Sequence, residues 1–451
     1  MTPRNLALAA LKDHGQGPGS VERYLDRAFV QAPHLNERDR AFTVHLVQGV
    51  LRWRLRLDYI IRQSVRFPFR KIEPAILDIL RIALYQIFYM ERVPESAAVN
   101  EAVKQAKAMG QGHLVGFVNG ILRQICRQKD RITFPDKCDD LIGHLSVKYS
   151  FPAWLVKKWT GELGPDSAQR LLDACNRIPG LVIRANKLRI DRQGLIGRLE
   201  MEGVTGVPTG YVPDGIEVKG LKGQVNRLNA FREGLFQVQG EASQACSYLI
   251  SPKTGESLLD LCAGLGGKTT HMAEIMGDRG SILALDMSLR RLVSLAQTSR
   301  RLGIHCISPV VADAVGRVSS LIRRRFDRII VDPPCSALGT ISRHPDGKWT
   351  RDECDVNRLA LLQGKILDQA LPLLRSGGRM LYTTCTISRE ENEAVIEGFL
   401  KRNKGTALVD LTQHVPAWGG DLIDENGIFR AFPHVHGMDG FFGALLEKKN
   451  D

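Results

Sequence analysis

Two cysteines of this chain stand where a thiol could act as a chemical group. Cys335 closes the run Ile329-Ile330-Val331-Asp332-Pro333-Pro334-Cys335, and Cys385 closes Leu381-Tyr382-Thr383-Thr384-Cys385. Each run reads as a short apolar strand that ends in polar residues and a thiol. A thiolate is a strong nucleophile, so a thiol at a strand end is a candidate for covalent catalysis. Pro333 and Pro334 remove backbone donors and stiffen the exit, which places Asp332 and Cys335 in a rigid loop. The plainer reading of any single cysteine is a small buried hydrophobe, and it serves for Cys126, Cys175 and Cys246. None of the nine cysteines forms a Cys-x-x-Cys pair, which speaks against a zinc site or a thioredoxin-type motif, so no metal is expected. Taken singly, Cys335 and Cys385 would also be read as core. As a pair in equivalent loops after neighbouring strands, they read as a site.

Three further loops could hold a ligand. The strand Leu258-Leu259-Asp260-Leu261 runs into Cys262-Ala263-Gly264-Leu265-Gly266-Gly267-Lys268-Thr269-Thr270 and then a helix. Small residues there let the backbone approach a ligand. A phosphate-binding P-loop needs glycine where Cys262 stands, and the dinucleotide fingerprint needs glycine where Thr269 stands, so both fail. Alone, the loop is equally well explained as a tight strand–helix turn. The next strand ends at Asp286, placed to accept hydrogen bonds from ribose hydroxyls. The third ends at Asp313, placed to accept from an exocyclic amine. Either aspartate alone would be read as a helix N-cap. Three such strand ends in a row favour an adenosine-type cofactor.

The elements that must position these loops begin near residue 255. Short apolar strands at Ser257–Leu261, Ser281–Leu285, Pro309–Ala312, Arg328–Asp332 and Arg379–Thr383 alternate with helices. That rhythm implies a parallel sheet with crossover helices, and ligands that bind beyond the carboxyl ends of the strands. Residues 1–135 read as all-helical from their apolar periodicity. Residues 39–63 carry Phe42, Leu46, Val47, Val50, Leu51, Leu57 and Ile61 at helical spacing, with Arg52, Arg54 and Arg56 spread over half the circumference. Residues 73–90 are apolar nearly all round, which predicts a central helix. Ser96 reads as the N-cap of a helix through Ala108 that Gly110 ends, and Leu114–Gln128 as a further helix. More helix follows over 146–180. A glycine-rich stretch with short β-type runs at Leu181–Arg184 and Leu235–Val238 then reads as a small α+β module. The expected organisation is an all-α domain over 1–135, an α+β connector over 145–230 and an α/β Rossmann-like domain with a mainly parallel sheet over 231–451.

The bulk numbers agree with an ordinary globular chain: 451 residues, 43% hydrophobic and 25% charged. No run of 18 apolar residues predicts a membrane span, and residues 1–10 lack the core of a signal peptide, so a cytoplasmic protein is expected, with monomer as the default reading. The net charge is +13, of which residues 1–150 carry +8. A basic surface supplies the salt-dependent part of nucleic-acid binding, although a high pI by itself is common.

These motifs together resemble the Sun/Fmu (NOL1/NOP2/Sun) family of RNA cytosine-C5 methyltransferases, in particular its bacterial type that acts on 16S ribosomal RNA. The resemblance spans nearly the whole chain. Arg38–Leu57, Ala97–Lys107 and Phe117–Arg123 are similar to the NusB-like RNA-binding domain of that type. Phe231–Gln244 is similar to the segment that leads into the catalytic domain. Cys262–Thr269, Asp332–Cys335, Tyr382–Cys385 with Glu391-Asn392-Glu393, and Gly437–Phe442 follow the family's ordered motifs. The first loop departs from the usual Cys-Ala-Ala-Pro-Gly-Gly-Lys by carrying Gly264-Leu265.

The resemblance implies S-adenosylmethionine as cofactor, held by Cys262, Ala263, Gly264, Leu265, Gly266, Gly267, Lys268, Asp286, Arg291, Asp313 and Asp332. For Arg291 an exposed helix arginine is the plainer reading. It implies Cys385 as nucleophile at cytosine C6, Cys335 in product release, Asp332 at the N3/N4 edge of the base, and Lys268 near the base and the thiolate. The implied partner is 16S rRNA, naked or in early assembly. Its target base must be unstacked to react. Two other readings are open. A DNA cytosine-C5 methyltransferase would use Pro334-Cys335 as its nucleophile motif, but Cys385 and the NusB-like segment argue against it. A non-catalytic rRNA-binding or assembly factor would not need Asp332, Cys335 and Cys385 intact.

Overall fold

The computed structural model describes residues 2–17, 19–110, 112–316 and 318–450. It divides into two compact units. One comprises residues 1–176 and 343–350, the other 177–342 and 351–451.

The first unit is helical: α1 (Pro3–Gln16), α2 (Val21–Gln31), α3 (Glu37–Ser64), α4 (Pro74–Tyr89), α5 (Glu95–Ala108), α6 (Gly112–Gln128), α7 (Leu141–Tyr149), α8 (Ala153–Leu163) and α9 (Pro165–Asn176). α4 is central, as its all-round apolarity requires, and every residue from Ile79 to Ile87 is buried. Polar groups carried inward are paired: Arg81 binds Asp58 through Nε at 2.6 Å and Asp78 through Nη1 at 2.8 Å. The arginines of α3 do not form an open basic face. Arg52 is buried, and Arg56 lies over the rings of Trp53, Tyr89 and Phe134. One detail corrects the sequence reading. α5 starts at Glu95 behind Pro94, so Ser96 lies inside the first turn and is not the cap. Pro94 sets an extended entry and Glu95 suits the positive end of the helix, which together outweigh the cap preference of serine.

The second unit holds two sheets. The smaller runs β1 (Leu181–Ala185), α10 (Arg192–Met201), β2 (Thr205–Pro208), β3 (Gly215–Lys219), α11 (Asn229–Arg232) and β4 (Phe236–Val238), with antiparallel strand order β2-β3-β1-β4. The larger follows α12 (Glu241–Leu249): β5 (Ser257–Asp260), α13 (Gly267–Ile275), β6 (Ser281–Asp286), α14 (Leu289–Leu302), β7 (Ile307–Val311), α15 (Val318–Leu321) and β8 (Phe326–Val331). The short α16 (Gly347–Thr350) belongs to the helical unit. The chain then returns with α17 (Glu353–Ala370), β9 (Leu374–Thr384), α18 (Glu393–Arg402), β10 (Thr406–Leu408), β11 (Phe429–Ala431), α19 (Pro433–His436) and β12 (Phe441–Lys448). Strand order is β7-β6-β5-β8-β9-β12-β10. The first five are parallel and β12 is antiparallel to its neighbours.

The central parallel strands carry apolar runs such as Ile329–Val331 and Met380–Tyr382 because both faces of the sheet are covered there, whereas β7 at the edge leaves Val310 and Val311 exposed. Alternate residues feed two cores. Leu258, Ile330, Leu381 and Leu445 join one with α12 and α13, while Leu259, Ile329, Met380 and Leu446 join the other with α17 and α18. The order reverses between β5 and β8. The crevice at the carboxyl ends of those strands is the position where open α/β sheets bind ligands.

A buried ion pair ties the small sheet to α13. Arg184 of β1, with no exposed surface, donates to Glu274 at 2.6 and 3.1 Å, to the Gly267 carbonyl at 2.9 Å and to Gln239. Removing one member of such a pair leaves an uncompensated buried charge, worth about 3–5 kcal/mol. Arg184→Ala is therefore expected to lower the stability of this unit by about that amount in urea unfolding, and Arg184→Met combined with Glu274→Met to recover most of it.

Candidate active site

Five loops gather at the carboxyl edge of the sheet. The loop between β5 and α13 is pinned by backbone bonds, Ala263 N to Leu285 O at 2.8 Å and Gly266 N to Ala263 O at 2.9 Å. Gly264 and Gly266 take the left-handed conformation, at φ +57° and +83°. At Gly266 a Cβ would overlap the Leu295 side chain, whereas the space beside Gly264 is open. Asp286, at the end of β6, accepts from Gly264 N at 2.9 Å and from Ser288 N at 2.8 Å. Asp313, in the loop after β7, accepts from Val315 N at 2.9 Å and is exposed. Arg291 reaches to 3.9 Å from Asp286 but keeps 60% of its side chain exposed, so its tie to the loop is a weak one.

These predicted positions converge on Cys262. Its thiol is pushed well above the usual range, first by burial and then by the charges of Asp260, Asp332, Asp286 and Asp313. Burial also raises Asp260 to about 7, although Thr269 donates to it at 2.7 Å. A crevice ringed by carboxylates suits a cationic ligand. Leu265 and Met287 expose apolar side chains next to Gly264 and Asp286, as a flat aromatic base would require. S-adenosylmethionine, with a sulfonium, an ammonium and an adenine, fits this donor set.

The other two loops bring the thiols together. Cys335 Sγ lies 3.3 Å from Cys385 Sγ, and both residues are partly exposed. The hydrogen bond between them splits their acidities. It lowers Cys385 against the effect of burial, with help from the charge of Lys268, and together with burial it raises Cys335 well above the usual range. The shifts run in opposite directions, so Cys385 is the more acidic thiol of the pair. Lys268 donates to Asp332 at 2.6 Å. Burial opposes the charge of Lys268, yet the Asp332 carboxylate keeps it above the ordinary lysine value. Its ammonium also lies 5.2 Å from the centre of the Phe441 ring.

Several residues that hold the thiols carry no reading of their own in the sequence. Glu391 is fully buried. It accepts from Ser336 N at 2.8 Å, from the Ser336 hydroxyl and from Gln363 Nε2 at 3.0 Å, which fixes the residue next to Cys335. Asn392 accepts from Thr384 at 2.6 Å and donates to the Thr386 carbonyl at 3.1 Å, so it clasps Cys385 from both sides. Gly339 N donates to the Cys385 carbonyl at 3.0 Å, and Gly440 N to the Gly339 carbonyl at 2.8 Å. A Cβ on Gly339 would overlap the Gly440 carbonyl, so this approach needs glycine. Glu391, Asn392 and Gly440 fall inside motifs that carry the family resemblance. Gln363 and Gly339 had no signal in the sequence beyond a polar residue on an apolar helix face and one glycine among many.

A doubly covered, mainly parallel sheet with these loops at its switch point defines an S-adenosylmethionine-dependent methyltransferase of Rossmann-like fold. Residues 247–447 match the family model of 16S rRNA methyltransferase RsmB/F, residues 1–127 that of the NusB family, and residues 151–223 that of the RsmF/B-like ferredoxin-like domain. The chain is 32% identical over 447 residues to "Probable ribosomal RNA small subunit methyltransferase B" of Bacillus subtilis (strain 168), covering 99% of this chain and 98% of that one. It is 34% identical to ribosomal RNA small subunit methyltransferase B of Escherichia coli O7:K1, with 92% of each chain covered. The crystal structure of PH0851 superposes with a TM-score of 0.81 at 29% identity, over 99% of both chains. The chain belongs to the ribosomal RNA small subunit methyltransferase B family, the Sun-type S-adenosylmethionine-dependent rRNA cytosine-C5 methyltransferases with an N-terminal NusB-like domain. Among the described residues no helix is long and apolar enough to cross a membrane.

The hydrogen bond between the thiols sets a measurable expectation. Alkylation of Cys385 by iodoacetamide, followed by mass spectrometry against pH, should reach half its maximal rate below pH 9, the ordinary thiol value. In Cys335→Ala the donor is gone, so the midpoint should move up. An unchanged midpoint would show that the neighbouring thiol does not tune Cys385.

Proposed function

We propose that this protein methylates C5 of one cytosine in 16S rRNA, with Cys385 as nucleophile and Cys335 assisting release. The observation that carries this reading is the pair of thiols 3.3 Å apart at the ends of adjacent parallel strands, with the acidity of Cys385 raised and that of Cys335 lowered. The Cys385 sulfur adds to C6, forming a C–S bond, and the C5–C6 π electrons move toward C5 and the N3/N4 side of the ring. Asp332 accepts from the N4 amine, and Lys268, held beside it at 2.6 Å, offsets charge on the ring. Gly264, Asp286, Asp313 and Asp332, with the backbone from Cys262 to Lys268, would hold the cofactor. S-adenosylmethionine, when bound, supplies a methyl group made electrophilic by its sulfonium. Loss of the C5 proton to a water that Cys335 orients, and from there to solvent, restores the C5–C6 double bond and expels Cys385 as thiolate. The Cys335 S–H then stabilises that leaving group.

The match of residues 1–127 to the NusB family supports a helical RNA-binding module that positions the RNA through its phosphates. We take the chain as organised into 1–135, 145–230 and 231–451, a reading supported by family matches over 1–127, 151–223 and 247–447. All nine cysteines are free thiols, which supports a reducing, cytoplasmic setting.

Bisulfite sequencing of rRNA from cells with and without the gene should show one protected cytosine in 16S rRNA that is lost with the gene. Cys385→Ala should abolish both methyl transfer and any covalent RNA adduct, whereas Cys335→Ala should stall turnover with the adduct trapped on a denaturing gel. Lys268→Met should slow transfer by about 10²- to 10³-fold, the usual effect of removing one charge-stabilising donor. An adduct that persists without Cys385 would overturn the assignment.

A further inference from the structure

A cluster of ligating side chains in the helical unit takes no part in this chemistry. His14 lies at the end of α1, Glu22 in the first turn of α2, and His344 and Asp346 in the 343–350 segment that belongs to the same unit. One ligand atom from each of Glu22, His344 and Asp346 lies within 4.8 Å of the others. His344 Nδ1 stands 2.9 Å from Glu22 Oε1. Asp346 Oδ2 accepts from Val21 N at 3.2 Å, standing in for the side-chain cap that Ser20 does not make. His14 Nε2 stands 4.0 Å from Asp346 Oδ2.

Two atoms in this cluster have no hydrogen-bond partner among the described residues: His14 Nε2 and Asp346 Oδ1. Their residues are 8% and 5% exposed. Buried polar atoms are nearly always paired, and an orphan marks a place for water or an ion. A single water would satisfy either atom. It would not explain why one imidazole and two carboxylates come within 4.8 Å of one another, with a second imidazole 4.0 Å from one of those carboxylates. Imidazole nitrogen and carboxylate oxygen are the donor set of first-row divalent cations, zinc foremost, and two carboxylates match the charge of one such ion. Around tetrahedral zinc, ligand atoms stand about 3.3 Å apart. Glu22 and His344 are already that close, and Asp346 is within about 1.5 Å of it.

We propose that Glu22, His344 and Asp346, completed by His14, bind one zinc-type divalent cation. Four protein ligands make it a closed, structural site. The ion fastens the 343–350 segment, which follows the Cys335 loop in the chain, to α1 and α2.

The test uses the full-length protein carrying Cys335→Ser and Cys385→Ser, so that the paired thiols cannot contribute. Metal-free protein is titrated with Co²⁺ and followed by visible absorption and equilibrium dialysis. One equivalent should bind, with visible d–d bands and without the near-ultraviolet sulfur-to-cobalt charge-transfer band. His344→Ala, which removes a half-exposed side chain and should leave the fold intact by circular dichroism, should weaken binding at least tenfold, as should Asp346→Asn. Zn²⁺ should raise the melting temperature of the parent protein and not that of His344→Ala. Failure to bind a stoichiometric ion, a thiolate charge-transfer band, or equal affinity in His344→Ala would each overturn the proposal.

Discussion

The site depends on one constraint: two thiols at the ends of neighbouring parallel strands must be held within hydrogen-bond distance without closing on each other. Strand spacing alone does not achieve this, since adjacent strands lie about 4.8 Å apart and their exit loops diverge. The distance is set by a buried polar frame. Glu391 anchors the residue after Cys335, Asn392 clasps the loop of Cys385, and Gly339 lets its backbone reach the Cys385 carbonyl. Every member of that frame is buried, where its hydrogen bonds are strongest and where leaving any of them unmade is most costly. The frame belongs to the fold, and the acidity of Cys385 follows from it.

Lys268 shows how a second requirement is met at the same edge. A lysine this buried would ordinarily lose its proton, but Asp332 keeps it charged. The helix that presents it is anchored from beneath by Arg184 and Glu274, a pair with no exposed surface. The cofactor loop, the lysine and the small sheet are therefore mechanically one body. That gives the connector module a purpose beyond linking two domains.

Much of this was legible in the sequence, for identifiable reasons. The central parallel strands announced themselves because burial on both faces demands continuous apolar runs, and the strand-end aspartates and cysteines followed from the topology. α4 was legible because only a central helix is apolar all round. The polar frame was not legible. Gln363 and Gly339 act across long sequence separations, and neither residue type nor spacing marks a partner that distant. Arg184 reads as one arginine in a short strand, and only tertiary contact reveals the carboxylate that justifies burying it. Ser96 misled because local cap preference is weaker than the constraint Pro94 places on the chain.

The excursion of residues 343–350 into the helical unit has a consequence for how the chain is made. Lys348 is buried there, donating to the carbonyls of Arg52 and Ser150 at 3.0 and 3.2 Å and to Asn176 at 2.7 Å, while Trp349 donates to the Leu51 carbonyl at 2.7 Å. Burial pushes Lys348 well below its usual range, while three acceptors stand around its nitrogen. Domains generally fold in the order in which the ribosome releases them. This helical unit is synthesised first, yet it lacks part of its interior until residue 350 has emerged. Its interior is therefore complete only after the loop that carries Cys335 has been synthesised.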